Sequence, residues 1–164
     1  MAKLKNRENK LLFELALYSD PDSFDWITYK ITISSIEDKN LHPLLNLSGP
    51  GLYLAYYKSE VLTMCRGILD VLDKKKTHFS FEPIDEKDFQ LEVENRNNRI
   101  LLSIYSRNFK VLQHYQWDYK SYLGIKMHVK KEDILNFVKQ LKSEYEKIES
   151  KFPGKTLLPK SKKT

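Results

Sequence analysis

Three segments that alternate apolar and polar residues, separated by short loops, constrain the fold of this chain more than any other feature. They span residues 77–82, 88–95 and 99–105, and the loops between them contain PIDEK and NRNN. Alternation with a period of two is typical of a strand with one buried and one exposed face. Strands joined by such short loops pair antiparallel. We therefore expect an antiparallel meander here, with a later strand at 122–129.

The N-terminal part of the chain has further segments with strand character. Residues 11–18 alternate in the same way, and residues 49–57 read as a turn followed by a strand. The clearest period-two segment is 25–33, after a turn signal in SDPDS. Its apolar positions, expected on one face, are Ile27, Tyr29, Ile31 and Ile33.

Two segments have the 3.6-residue period of amphipathic helices, 59–74 and 132–149. We expect Ser59 to cap the first helix by accepting a backbone hydrogen bond. The apolar stripes are Val61, Cys65, Ile68 and Leu72 in the first, and Ile134, Val138, Leu141, Tyr145 and Ile148 in the second. The order of strands, helix, strands and helix predicts an α+β fold. We expect a twisted or partly closed antiparallel sheet of about six to seven strands with two amphipathic helices packed on it.

The positive charge of the chain is concentrated at its two ends. The net charge is +6, of which residues 1–10 contribute +3 and residues 151–164 contribute +5, so residues 11–150 carry −2. We therefore predict a flexible basic N-terminal end at 1–10, a single domain at 11–150 and a flexible basic tail at 151–164. Such tails attract any polyanion weakly and without sequence selectivity.

The residue inventory argues against several functional classes. The one cysteine, Cys65, excludes an internal disulfide and fits a reducing compartment, so we expect the protein to be cytoplasmic. No apolar run reaches the roughly 18 residues that a membrane span needs. Neither G-x-x-x-x-G-K-[ST] nor G-x-G-x-x-G occurs, and no histidine pair has a zinc-ligand spacing. We therefore expect no cofactor, no metal and no catalytic site.

The polar positions of the predicted meander include a row of acidic residues, Glu82, Glu92 and Glu94. Acids that alternate with an apolar face are usually solvated, which is the favoured interpretation. A docking face for a basic partner is the main alternative. Catalysis would need a carboxylate whose pKa is shifted by burial or by a close partner, for example Glu82 beside His78 or His128. Nothing in the spacing favours such a pair.

The stretch 106–120 interleaves basic and aromatic residues, among them Arg107, Tyr115, Trp117 and Tyr119. The simplest interpretation is a long connection whose aromatic side chains cover the core. Tryptophan, tyrosine and arginine are also enriched in the centres of protein interfaces. Single-stranded nucleic-acid platforms use the same mixture, so this third interpretation stays open.

The order of these segments resembles the WapI family of bacterial immunity proteins over roughly residues 11–149. The similarity rests on the early strand with Trp26, Ile27 and Tyr29, on the strand–helix unit GLYLAYYKSEVLTMCRGILDVLD and on FEP followed by FQLEV. The basic ends and the insertion at 106–120 depart from the family pattern. The resemblance fixes no binding residues.

The resemblance implies a non-catalytic protein that binds and neutralises a cognate bacterial toxin domain. On this hypothesis the candidate partner-binding residues are Glu82, Glu92, Glu94, Arg107, Tyr115, Trp117 and Tyr119. The alternative is a small nucleic-acid-associated protein that uses residues 106–120 and its lysine-rich tails. Under the first hypothesis, nucleic acid would make only weak contacts with the tails, and the protein would be a monomer or a homodimer.

Overall fold

The computed structural model describes residues 1–19, 26–37, 43–47, 53–55, 59–84, 89–106 and 123–151. Within these ranges the chain forms nine strands and two helices. The strands are β1 (Ala2–Lys5), β2 (Leu11–Ser19), β3 (Trp26–Ser35), β4 (Pro43–Leu47), β5 (Tyr53–Ala55), β6 (His78–Phe81), β7 (Phe89–Arg96), β8 (Arg99–Ser106) and β9 (Leu123–Val129). The helices are α1 (Glu60–Leu72) and α2 (Lys131–Glu149).

The strands form two antiparallel sheets. The first sheet has the order β1-β2-β3-β4. Strands β4 and β5 share one edge of β3, where β4 pairs with residues 31–34 and β5 with residues 26–28. The second sheet is the meander β6-β7-β8-β9, in which each strand pairs with its neighbour along the chain. The α+β fold with antiparallel strands and two amphipathic helices is therefore confirmed, with the strands divided between two sheets.

One hydrophobic core joins both sheets and both helices. The Tyr29 ring of the first sheet contacts the Phe89 ring of the second, with 5.1 Å between centroids. Helix α2 packs on β1 and β2, where Phe137 lies 5.4 Å from Phe13, and helix α1 packs on β6 and β7. Because the inner faces meet here, the outer face of each sheet is left for polar residues.

The predicted apolar stripes are the buried ones. Ile27, Tyr29, Ile31 and Ile33 are all buried on β3, and so is every stripe residue predicted for α1 and α2. The helices begin and end within two residues of the predicted bounds. Neither helix combines the length with the apolar character that crossing a membrane would require, within the part of the chain that the structure describes.

The N-terminal ten residues were expected to be flexible, and this prediction is wrong. Residues Ala2–Lys5 form β1, in which Ala2 pairs with Leu15 and both Ala2 and Leu4 are buried. The terminal amino group of Met1 forms an ion pair with Glu144 of α2, and the Lys3 N–H donates to Gln140 Oε1. The lysines of this segment alternate with apolar residues, so their charge faces outwards while the strand completes the sheet.

The expected side-chain cap at Ser59 is also wrong. Ser59 has left-handed backbone angles (φ 51°, ψ 40°), and its side chain makes no capping hydrogen bond. Side-chain capping requires an extended backbone that points the hydroxyl at the first helical turn. The Ser59 carbonyl accepts the first helical hydrogen bond, from the Thr63 N–H at 2.8 Å, as the carbonyl of an N-cap residue does with or without a side-chain cap. Residues 152–164, which make up most of the predicted C-terminal tail, lie outside the described residues.

Helix α1 approaches β6 closely at Gly67, where an added Cβ would overlap the ring of Phe79. We predict that Gly67→Ala lowers the free energy of unfolding by about 1 kcal/mol or more, because overpacking outweighs the gain in helix propensity. In a Phe79→Ala background the same substitution should raise it by about 1 kcal/mol, since only the propensity remains. Urea denaturation of the four proteins measures both effects. Equal effects of Gly67→Ala in the two backgrounds would contradict the packing interpretation.

Candidate functional site

The outer face of the second sheet carries a polar array whose rows run across the four strands. One row places His78, Glu94, Leu101 and His128 side by side on β6, β7, β8 and β9. The next row holds Ser80, Glu92, Ser103 and Lys126, and a third holds Gln90, Tyr105 and Gly124. We refer to this array as the polar sheet face.

The acidic groups of the polar sheet face lie on β7, an inner strand. Glu92 accepts a hydrogen bond from Gln90 Nε2 at 2.8 Å, and the same amide donates to Ser80 Oγ at 3.0 Å. Glu94 accepts from Arg96 Nε at 2.5 Å. Both carboxylates are half-buried. Neighbouring side chains therefore orient them while one side stays open to solvent.

The basic groups of the polar sheet face lie on the edge strand β9. Lys126 and His128 are exposed there, and Lys126 Nζ lies 5.9 Å from the centroid of the Tyr105 ring. The Tyr105 ring lies against Gly124, where a Cβ would overlap it. The face is thus bipolar, with negative charge on β7, positive charge on β9 and the uncharged residues of β8 between them.

Six basic residues converge at one end of this sheet, beside a surface hollow of about 520 Å³, which Glu8 also lines, and an adjoining one of about 310 Å³. We call them the basic cluster: Arg7, Arg99, Lys126, His128, Lys130 and Lys131. Arg99 and His128 line both hollows and also a third of about 560 Å³ that extends to Glu94. Sequence reasoning missed this cluster because Arg7 and Arg99 are far in the chain from the other four members, which lie within residues 126–131.

Hydrogen bonds of the backbone hold the β1–β2 turn, and with it Arg7 of the basic cluster, against β9. The Arg7 N–H donates to the His128 carbonyl at 2.7 Å, which joins the β1–β2 turn to β9 of the other sheet. Asn6 holds that turn, because its Oδ1 accepts from the N–H groups of Lys10 at 2.7 Å and Leu11 at 2.9 Å.

The hairpin between β7 and β8 places Arg99. Asn97 and Asn98 occupy its two-residue loop, with φ values of 52° and 63°. Positive φ at both central residues is the requirement of a type I′ turn, which asparagine tolerates. The first residue of β8 is therefore held opposite Arg96, its partner in the ladder.

The sequence-predicted site residues have different outcomes. Glu92 and Glu94 lie together on the outer face of β7, as expected. Glu82 is separate from them, because it follows Phe81, the last paired residue of β6. The predicted residues Arg107, Tyr115, Trp117 and Tyr119 lie outside the described residues, so their role stays a prediction.

Glu60 is a buried carboxylate that sequence reasoning did not single out. It begins α1 and is 2% exposed, and its Oε1 accepts from the Ile84 N–H at 2.6 Å. A carboxylate at a helix N-terminus is favoured by the free N–H groups there. Its contact ties the loop after β6 to α1, which is a structural role.

Cys65 lies on the buried stripe of α1. Burial raises the pKa of its thiol to about 11, an effect that the positive charge of Lys142 partly offsets. The thiolate is the nucleophilic form of cysteine, so this thiol is inert at neutral pH. In the described ranges, no three His, Cys, Asp or Glu side chains are grouped in a way that could hold a metal ion.

Comparison of the chain with family models, with curated proteins and with solved structures found no match.

The raised pKa of Cys65 makes a testable contribution to stability. The folded thiol keeps its proton to about pH 11, whereas its ordinary pKa is 9.0, so the contribution is complete below pH 9 and is lost between the two values. Between pH 8 and pH 10 the wild type should lose on the order of 1 kcal/mol more stability than Cys65→Ala. Denaturant unfolding at both pH values tests this. Parallel losses in the two proteins would show that Cys65 does not titrate as inferred.

Proposed function

We propose that this chain is a non-catalytic binding protein of the immunity type, which recognises a cognate bacterial toxin domain and neutralises it in the cytoplasm. The observation that carries the proposal is the bipolar polar sheet face, with Glu92 and Glu94 oriented on an inner strand. The sequence resemblance to the WapI family supports the same class of function.

A rigid sheet is a suitable platform for recognising a protein surface. Glu92 and Glu94 are displayed from a strand that is paired on both sides, so binding does not have to order their backbone. Complementary charge speeds association and selects one orientation of the partner. A toxin surface that handles nucleic acid is usually basic, which fits the acidic strand β7.

The bipolar arrangement adds a constraint on orientation. A partner that places basic groups over Glu92 and Glu94 also meets Lys126 and His128 at the neighbouring edge. Like charges placed opposite one another cost binding energy, so a uniformly basic surface fits only part of the face. We therefore expect the partner to present basic groups to β7 and neutral or acidic groups to β9. Trp117 and Tyr119 stay the predicted hydrophobic anchors of the interface.

The proposal is tested first by identifying the partner. The full-length protein is used as bait in lysate from its native host, and captured proteins are identified by mass spectrometry. The expected partner is the C-terminal domain of a large secreted protein that arrests growth when expressed alone. Co-expression of this chain should restore growth. A captured protein whose expression is harmless, or whose toxicity persists on co-expression, would contradict the immunity function.

The role of the acidic strand is tested by charge reversal. The double variant Glu92→Lys/Glu94→Lys should slow association with that toxin domain by about tenfold or more at low salt, because it reverses the complementary field. The matched control is Glu37→Lys/Glu146→Lys, which changes the net charge equally at exposed positions away from the sheet face. Surface plasmon resonance measures the association rates. Equal rates for the two variants would show that Glu92 and Glu94 are only solvated surface.

A further inference from the structure

The basic cluster is a second surface, with chemistry opposite to that of β7. Its five lysines and arginines come from the β1–β2 turn, from the β7–β8 hairpin, from β9 and from the junction of β9 with α2. None of the five forms an ion pair within the described part of the chain, whereas Lys3, Lys10 and Lys75 do. Because residues 11–150 as a whole are slightly acidic, this concentration of positive charge is local.

The spacing of the cluster suits an anion whose charges repeat along a chain. Lys126, His128 and Lys130 occupy alternate positions of extended backbone, so they share one side. Two ammonium groups are thus about 13 Å apart along the strand, with the His128 imidazole between them as a hydrogen-bonding group. Arg99 and Arg7 flank this line, on β8 and on the β1–β2 turn. The three hollows beside the line share Arg99 and His128 among their lining residues.

The start of α2 adds to the same positive field. Lys130 is its N-cap residue and Lys131 its first helical residue, at the helix end where cations are unfavourable. Glu132 and Asp133 in the first turn offset part of that charge. An anion bound beside Lys130 and Lys131 would relieve the remaining repulsion.

The aromatic ring of Tyr105 favours single-stranded nucleic acid over an acidic peptide as the bound polyanion. This half-exposed ring lies on the polar sheet face, packed against Gly124 and with Lys126 Nζ 5.9 Å from its centroid, so a stacked base would take the place of that ammonium group. Cationic grooves combined with aromatic rings are how proteins hold single-stranded nucleic acid, since the cations follow the phosphates and a ring stacks on a base. An acidic peptide would use the cations alone.

We propose that the basic cluster binds the phosphate backbone of a single-stranded nucleic acid, with Tyr105 as a stacking partner for a base. The strand follows β9, because Glu92 and Glu94 repel phosphate from the other half of the sheet face. This site is distinct from residues 106–120, from the C-terminal tail and from the acidic strand β7, but it shares Lys126 and His128 with the edge that the proposed toxin partner also meets.

The first test uses fluorescence anisotropy of a labelled single-stranded oligouridine of about twelve nucleotides with the full chain. Arg7→Gln/Arg99→Gln should weaken binding on the order of tenfold at low salt and reduce the slope of log affinity against log salt by about 1.4. The matched control, Lys139→Gln/Lys147→Gln, removes the same charge from exposed positions of α2 and keeps the tails. Equal losses in both variants would mean that only net charge and the tails attract RNA, which overturns the proposal.

The second test separates nucleic acid from acidic protein. Tyr105→Leu keeps an apolar cover over Gly124 but removes the aromatic face, so RNA binding should weaken about fivefold or more. Binding of a labelled polyglutamate peptide should be weaker in the wild type and unaffected by Tyr105→Leu. Tighter binding of polyglutamate, or RNA affinity indifferent to Tyr105→Leu, would reassign the cluster to an acidic protein.

A third measurement uses only the wild type, so its result does not depend on whether a variant folds. Ultraviolet crosslinking of the wild type to the same oligouridine, read by mass spectrometry, should modify peptides that contain Tyr105 and β9. Crosslinks confined to the tail peptides would overturn the site. Glu92→Lys/Glu94→Lys should not weaken RNA binding, so a failure of this proposal and a failure of the toxin-binding proposal give different results.

Discussion

The contact between Tyr29 and Phe89 is the constraint on which the rest of the structure depends, because it joins the inner faces of two separate sheets. Once these faces are buried together, side-chain alternation decides what each strand shows to solvent. A slip of one residue in β7 would bury Glu92 and Glu94 and expose Leu91 and Val93. The core thus fixes the polar sheet face as firmly as it fixes the fold.

Strands, helices and their buried faces could be predicted from the sequence wherever a segment is long enough for its apolar pattern to repeat. Residues 25–33 and the stripe of α2 contain four or more repeats, and their buried sides follow directly. The four residues of β1 contain only two apolar positions among lysines, which looks like a charged tail. Only the long-range pairing of Ala2 with Leu15, and the ion pair from Met1 to Glu144, give that segment its place.

The same limit divides the candidate site. Glu92 and Glu94 are two residues apart on one strand, so their common face could be read from the sequence. Arg7, Arg99 and Lys130 come from three distant segments, and no local pattern brings them together. The hydrogen bond from the Arg7 N–H to the His128 carbonyl does so, by joining a turn of the first sheet to the edge of the second. Positive charge expected in a mobile end is therefore held on the folded body.

The distance between the two charged halves of the sheet face decides how strongly they affect each other. Strands β7 and β9 are two strand spacings apart, which is about 9–10 Å. This is only slightly more than the screening length of about 8 Å at physiological ionic strength, so salt weakens the interaction between the two halves without removing it. At low salt the electrostatic fields of β7 and β9 would overlap more strongly. Glu92 and Glu94 would then lower the affinity of β9 for an anion. The neutral residues Ser103 and Leu101 of β8 separate the acidic strand from the basic edge. A toxin domain that covers β9 as well as β7 would therefore compete with a phosphate backbone for Lys126 and His128.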